Sequence, residues 1–135
     1  MKLVAFIDGA ARGNPGKSGI GIAIFDERGK CQAEHHAFLG IKTNNGAEYS
    51  ALITCLQLVM SRFVQCSELQ VHSDSELLVR QINGLYRVRD KKLQRFYREV
   101  RQLLESAPFR FSISHIPREF NAKADSLANR GIDEH

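Results

Sequence analysis

The sequence is poor in cysteine, with three residues that are widely spaced and odd in number: Cys31, Cys55 and Cys66. They do not follow zinc-ligand spacing, so we expect reduced thiols, with Cys55 in the core of a helix. The sequence also lacks an apolar run long enough for a transmembrane helix. Its apolar start, residues 1–7, is too short for a signal peptide and runs directly into Asp8. These absences predict a cytoplasmic protein with no membrane association.

The overall composition is typical of one globular domain. The chain has 135 residues, of which 43% are hydrophobic and 25% are charged. A domain of this size buries roughly two thirds of the surface of its unfolded chain, which is enough for a core without disulfides or structural metal. We find no internal repeat, low-complexity stretch or linker. We therefore expect a single domain over residues 1–135, monomeric and without an obligate protein partner.

Strand and turn signals dominate the first part of the chain. Residues 3–7, 20–25 and 31–38 are rich in strand-forming side chains. Residues 12–17 and 26–30 between them have the composition of turns. Together they predict an antiparallel meander in which the first strand ends at Asp8.

Helical and strand patterns alternate in the rest of the chain. Helices are predicted from the capping segment 43–46 to Phe63, over 75–82 with Asn83-Gly84 closing it, over 91–104, and over 122–130 with Asn121 as cap and Gly131 at the end. Strands are predicted over 69–73 and 109–113. The order β-β-β-α-β-α-α-β-α predicts an α/β fold, with a five-stranded mixed sheet flanked by helices.

Four carboxylates fall where such a fold brings side chains together. Asp8 and Asp74 end predicted strands, and Glu48 and Asp125 lie near the starts of predicted helices. Clustered carboxylates repel one another unless a cation lies between them, and Mg²⁺ prefers oxygen ligands. Two such ions about 4 Å apart stabilise the attacking water and the leaving oxygen of a phosphodiester. Taken singly, each acid also fits a helix cap, a turn or a solvated charge.

Positive charge is concentrated in one segment of the chain. The net charge is +4, and residues 80–101 contain eight basic side chains but only two acidic ones, Asp90 and Glu99. This excess suits binding of a polyanion, and it equally suits a solvated helix face.

Four motifs, in order, resemble those of the type 1 ribonuclease H family over nearly the whole chain. They are Phe6–Ala10 with Arg12–Gly16, Thr43–Tyr49, His72–Leu77, and His115–Asp125. The similarity is greatest to the compact branch found in archaea, plants and some bacteria.

The resemblance implies a ribonuclease H-like fold and an endonuclease that hydrolyses the RNA strand of RNA–DNA hybrids. It implies two Mg²⁺ ions, with Mn²⁺ as a possible substitute, and products with a 5′-phosphate and a 3′-hydroxyl. In this scheme Asp8 bridges the two ions and Asp125 holds the ion that activates water. Glu48 and Asp74 hold the ion beside the leaving oxygen.

The resemblance also points to two assisting residues in the last motif. His115 precedes Asp125 by ten residues, as a mobile catalytic histidine does in many family members, and could shuttle protons or aid product release. It also fits a structural strand-end histidine. Arg118 is an alternative that would act by charge, because guanidinium does not serve as a neutral base.

Substrate contacts are implied at two places. The backbone around Ala11 and Gly13, with neighbouring Arg12 and Asn14, would meet the RNA strand together with Asn44, Glu48 and Asp74. Thr43 and Asn45 would seat a DNA phosphate, although both asparagines also fit helix capping.

The chain departs from the family pattern in two respects. It carries Glu76 where many relatives have an amide that contacts substrate. In place of a longer substrate-binding protrusion it has the short basic segment 80–101 and no tryptophan.

Three other functions fit parts of the pattern. A non-catalytic nucleic-acid-binding module on the same fold would lack at least one of the four acids, and all are present. A phosphoryl-accepting receiver domain requires alternating parallel βα units, which the predicted meander contradicts. A structural domain with incidental acids would show no change in stability on magnesium titration.

Overall fold

A mixed five-stranded sheet forms the centre of the protein. The computed structural model describes residues 1–135. The strands are β1 (Lys2–Gly13), β2 (Gly16–Asp26), β3 (Cys31–Lys42), β4 (Glu68–Ser73) and β5 (Arg110–His115), in the spatial order β3-β2-β1-β4-β5. The first three pair antiparallel, whereas β1–β4 and β4–β5 pair parallel. The predicted fold class is confirmed, and the antiparallel start excludes a receiver-type topology.

Four α-helices accompany the sheet. They are α1 (Asn44–Arg62), α2 (Glu76–Ile82), α3 (Lys91–Ser106) and α4 (Ala122–Asp133), with a single 3₁₀ turn at Arg118–Phe120 before α4. Thr43 caps α1 and Asp90 caps α3 through side-chain oxygens, as capping residues do. None of these helices has the length and apolar content needed to cross a membrane.

The helices pack on opposite faces of the sheet because successive residues of a strand point to opposite sides. Ile20 and Ile22 of β2 belong to a core of 24 buried residues shared with α1, and Tyr49 of α1 donates its hydroxyl to Gln81 of α2 (2.6 Å). Gly19 and Gly21 point the other way, against α4. A second, smaller apolar layer lies on the other face, where α4 packs on β1–β3 and buries Leu127, Ala128 and Ile132.

Three elements differ from the sequence prediction. The first strand does not end at Asp8 but continues to Gly13, because its second half pairs with β2, and the turn shrinks to Asn14-Pro15. Strand β3 passes a bulge near Leu39 and reaches Lys42. Gly131 does not end the last helix, which continues to Asp133.

A glycine is needed at position 131 because of close packing and not because the helix ends there. A methyl group on Gly131 would lie 2.4 Å from the carbonyl oxygen of Ala37 in β3. A methyl group on Gly21 would lie 2.1 Å from the carbonyl oxygen of Ala124. These positions let the backbone of α4 approach the sheet more closely than any side chain would allow.

The three cysteines are all unpaired, as expected. Cys55 is buried in α1 and Cys66 is buried before β4, whereas Cys31 is exposed. Burial raises the pKa of the Cys55 thiol to about 12.

We predict that Gly21→Ala lowers the free energy of unfolding by about 3 kcal/mol, since the added methyl group overpacks the contact with α4. Gly29→Ala is the matched control: its methyl group meets nothing within 4 Å, but its φ of +83° costs about 1 kcal/mol. Urea unfolding of both variants measures the difference. An equal loss in the two variants would contradict the close approach of α4.

Candidate active site

The parallel pairing of β1 with β4 brings Asp8 and Asp74 side by side. The register ends with Ile7 opposite Ser73, so the next residue on each strand is an aspartate. Asp8 continues in β1, whereas Asp74 lies in the turn before α2, where Ser75 caps the helix. The two carboxylates therefore meet where the parallel pairing of β1 with β4 ends, at the edge of the sheet where open α/β sheets form ligand sites.

Glu48 joins them because α1 crosses very close to β1. A methyl group on Gly9 would lie 2.2 Å from the carbonyl carbon of Ala47, so only glycine permits this approach. The backbone N–H of Gly9 donates a hydrogen bond to Oε1 of Glu48 (2.7 Å). Glu48 is the fifth residue of α1, one turn past the cap, and its carboxylate points back to the strand.

Carboxylate oxygens of Asp8, Glu48 and Asp74 lie within 4.8 Å of one another. Only 5% of Asp8 and 9% of Glu48 is exposed to solvent. Asp125, the fourth predicted acid, lies on α4 and is not part of this tight group. It approaches Asp8 closely enough to affect its pKa.

Burial and mutual repulsion make this cluster hard to ionise without a cation. Burial, with smaller contributions from Asp74 and Asp125, raises the pKa of Asp8 to about 8. Burial likewise raises the pKa of Glu48 well above its usual range, and Asp8 and Asp74 add to it. The all-oxygen donor set, without thiolate or imidazole, suits a hard divalent metal ion.

Arg118 lies close enough to the acids for its charge to act on them, and His115 ends the strand next to β4. The positive charge of Arg118 lowers the pKa of both Asp8 and Glu48, which opposes the effect of burial. His115 is the last residue of β5, is exposed, and stands in register with Ser73, next to Asp74 in the chain. Both residues therefore stay candidates for assisting the reaction at the acids.

Asn121 is a site residue that the sequence prediction missed. It was predicted to cap α4, but its side chain makes no capping bond. Its Nδ2 donates to the carbonyl oxygen of Ile7 (2.8 Å) and to Oδ2 of Asp74 (3.1 Å), and only 1% of the residue is exposed. Asn121 thus ties α4, β1 and the Asp74 carboxylate together. No local pattern separates such an asparagine from a capping one.

Three of the predicted RNA-side residues lie at the hairpin end of β1 and β2. Ala11, Arg12 and Gly13 are in β1, and Gly13 has a φ of +102°. The Arg12 guanidinium bonds to Asp133 (2.6 Å) and Asn129 (3.1 Å) of α4, so its side chain is already engaged.

The predicted DNA-side residues, Thr43 and Asn45, lie at a cavity next to the start of α1, and two predicted RNA-side residues, Asn14 and Asn44, lie beside them. Asn14 accepts a hydrogen bond from the backbone N–H of Asn44 (3.0 Å). Asn14, Thr43 and Asn45 line a cavity of about 770 Å³ together with residues of α3. Glu76 lies outside this cavity and pairs with Arg80 (2.9 Å).

Comparisons of the sequence and of the structure with known proteins point to the same family. Residues 6–131 match the family described as reverse transcriptase-like. The chain is 41% identical to LC11-RNase H1, whose structure was determined in complex with RNA/DNA hybrid, with a TM-score of 0.92 over 98% of this chain and 97% of that one. It is 35% identical to RNase H1 of the halophilic archaeon Halobacterium salinarum, with a TM-score of 0.93 over the full length of both chains.

The chain belongs to the ribonuclease H1 family. Among curated proteins, it is 36% identical to ribonuclease HI of Halobacterium salinarum and to the bifunctional protein Rv2228c of Mycobacterium tuberculosis. It spans 65% of the length of the first and 36% of the second.

In this ribonuclease H1 relative, we predict that Asp8→Asn stabilises the metal-free protein at high pH. The folded-state pKa of Asp8, about 8, exceeds its ordinary value of 3.8. Its contribution to stability is therefore present below about pH 4 and is lost as pH rises through 8. In EDTA, the variant should melt several degrees above wild type at pH 9, and the advantage should shrink towards pH 5. An equal or lower melting temperature at pH 9 would disprove buried repulsion at Asp8.

We predict that Asn121→Ala raises the divalent metal concentration needed for half-maximal activity by about 10-fold to 100-fold, because Asp74 loses its orienting donor. Asn83→Ala is the matched control, since Asn83 also donates its side-chain amide to a backbone carbonyl, that of Ile113 (3.2 Å), away from the acids. Metal titrations of activity compare the two variants. An unchanged metal requirement in Asn121→Ala, or the same shift in the control, would reduce Asn121 to a structural role.

Proposed function

We propose that this protein is an endonuclease that hydrolyses the RNA strand of RNA–DNA hybrids and leaves a 5′-phosphate and a 3′-hydroxyl. The observation that carries the proposal is the cluster of Asp8, Glu48 and Asp74, with Asp125 beside it, in a ribonuclease H1 fold. LC11-RNase H1, which shares that fold at 41% identity, has been determined with an RNA/DNA hybrid.

Asp8, Glu48, Asp74 and Asp125 would hold two divalent ions, Mg²⁺ in first place and Mn²⁺ as a substitute. When bound, such ions make water a nucleophile at neutral pH and stabilise the charge on the departing oxygen. The protein's part is to keep the carboxylates in place: Gly9 donates to Glu48, and Asn121 donates to Asp74. Without these donors the acids would be free to rotate apart.

Arg118 and His115 would have different tasks at the scissile phosphate. Arg118 brings a permanent positive charge to a site of negative carboxylates, so it would attract and orient the phosphate. His115 is exposed at the strand end, where its imidazole is open to solvent. We propose charge stabilisation for Arg118 and proton exchange with solvent for His115.

The hybrid would lie across the edge of the sheet, with its two strands on different elements. The RNA strand would contact the backbone at Ala11 and Gly13. The DNA strand would place a phosphate in the cavity at Thr43 and Asn45, where the exposed cations Lys92 and Arg95 also lie. Asp90 lines the same cavity, but its carboxylate is occupied by the backbone N–H groups of α3 that it caps.

Glu76 and Arg12 would contribute less than the family pattern implies. Glu76 is paired with Arg80, and Arg12 is paired with Asp133. We further propose that residues 1–135 work as one domain and as a monomer in the cytoplasm, without an obligate protein partner.

We predict that the protein cuts only the RNA strand of a labelled RNA–DNA hybrid in Mg²⁺ and is inactive in EDTA. RNA–RNA, DNA–DNA and single strands serve as parallel substrates. Asp74→Asn should lower the rate by at least ~1000-fold, because several kcal/mol of transition-state stabilisation are lost. Asp26→Asn, at the far end of β2, is the matched control and should keep full activity.

Two results would overturn the proposal. Near-normal turnover in Asp74→Asn would contradict the assignment of Asp74 as a metal ligand. Hybrid binding without cleavage in either Mg²⁺ or Mn²⁺ would identify a non-catalytic binding module.

A further inference from the structure

The connection between α2 and α3 borders a second cavity, distinct from the acid cluster and from the cavity at Thr43. Its volume is about 560 Å³, and it lies on the other flank of the start of α3. None of the four acids lines it, and it shares no residue with the larger cavity. The side chains that matter below are Leu85, Tyr86, Arg87, Tyr97 and Arg98.

This cavity has a fixed shape because the connection is tied at several points. The backbone N–H groups of Leu85 and Tyr86 both donate to the carbonyl oxygen of Arg80 (2.8 and 3.2 Å). The side-chain amide of Gln94 donates to the carbonyl oxygen of Val88 (3.0 Å). A loop held in this way does not have to be ordered by a ligand, which lowers the cost of binding.

Its walls present aromatic surface to solvent. Tyr86 is 44% exposed and Leu85 is 67% exposed, which is high for side chains of this size. The guanidinium of Arg80 lies over the Tyr86 ring, 5.5 Å from its centre, and that of Arg101 lies over the Tyr97 ring at 5.0 Å. The two rings are therefore oriented by cation–π contacts within the protein itself.

The cavity also carries positive charge without a counter-charge. Arg80 pairs with Glu76, but neither Arg87 nor Arg98 forms an ion pair with any carboxylate of the chain. Uncompensated guanidinium groups beside exposed rings call for a ligand that supplies both anionic groups and flat apolar surface.

We infer that this cavity binds an unpaired nucleotide of a single-stranded nucleic acid. A base would stack against Tyr86, and the flanking phosphates would pair with Arg87 and Arg98. A base within a duplex is already stacked on its neighbours and cannot enter, and an acidic peptide would meet the arginines but leave the rings unused. The strand would be a single-stranded extension of a hybrid or a separate single strand; only the first source rests on the proposed function.

Binding of oligonucleotides in EDTA tests the site without reference to cleavage. The probes are a fluorescent oligothymidylate of 12 nucleotides and an abasic oligomer of equal length, which has the same phosphates but no bases. Wild type should bind the thymidylate about tenfold more tightly, since stacking of one base is worth this much. Tyr86→Leu should abolish this preference and leave binding of the abasic oligomer unchanged.

Arg98→Gln and Arg89→Gln form a matched pair for the charge. Both remove one arginine from the same region, but only Arg98 lines the cavity. Arg98→Gln should weaken binding of both oligomers more than Arg89→Gln does, and each variant should melt close to wild type. Equal affinity of wild type for the two oligomers would overturn the inference. So would a full base preference in Tyr86→Leu, or displacement of the thymidylate by poly-glutamate as readily as by unlabelled thymidylate.

Hybrids with and without extensions then separate the two sources of the strand. If the strand is an extension, a hybrid with an unpaired DNA or RNA tail should bind more tightly than the blunt hybrid, and Tyr86→Leu should remove the difference. If tailed and blunt hybrids bind alike while the thymidylate preference holds, the site takes a separate strand. Failure of hybrid cleavage alone would sink the proposed function and leave the oligonucleotide result standing.

Discussion

Repulsion among the carboxylates at one end of the sheet is the physical constraint on which much of the remaining structure depends. Asp8, Glu48 and Asp74 are held within a few ångströms although burial and mutual charge oppose their ionisation. The fold tolerates this because rigid elements impose it: a parallel strand register, a helix crossing at Gly9, and the side chain of Asn121. Sites that bind cations are commonly less stable when empty, and the raised pKa values of Asp8 and Glu48 agree with that rule.

Much of the fold could be predicted from the sequence because the signals are local. Apolar periodicity, turn composition and capping residues depend on neighbours along the chain, so the order of strands and helices was correct. The proximity of Asp8 and Asp74 followed from their positions after apolar strand segments, and the motifs supplied the family. The free thiols followed from the odd number and wide spacing of the cysteines, and the burial of Cys55 followed from its place in a helix.

What could not be predicted depends on contacts between distant segments. The first strand continues past Asp8 only because β2 offers a pairing partner there. Gly131 resembles a helix terminator in sequence, but the contact with Ala37 in β3 explains it. Asn121 resembles a cap, yet its amide reaches Ile7, 114 residues away in the chain. The ion pair between Arg12 and Asp133 likewise joins residues that are far apart in the chain.

The glycines packed against α4 limit which substitutions the fold can accept. Gly19, Gly21 and Gly131 set the distance between α4 and the sheet, and Asp125 lies on that helix. Gly21 is also the cross-strand partner of Asp8. Because these glycines have no side chain, α4 packs directly on the sheet. A side chain at any of them would move α4, and with it Asp125, away from Asp8. The geometry of the acid cluster therefore depends also on positions whose contribution is the absence of a side chain.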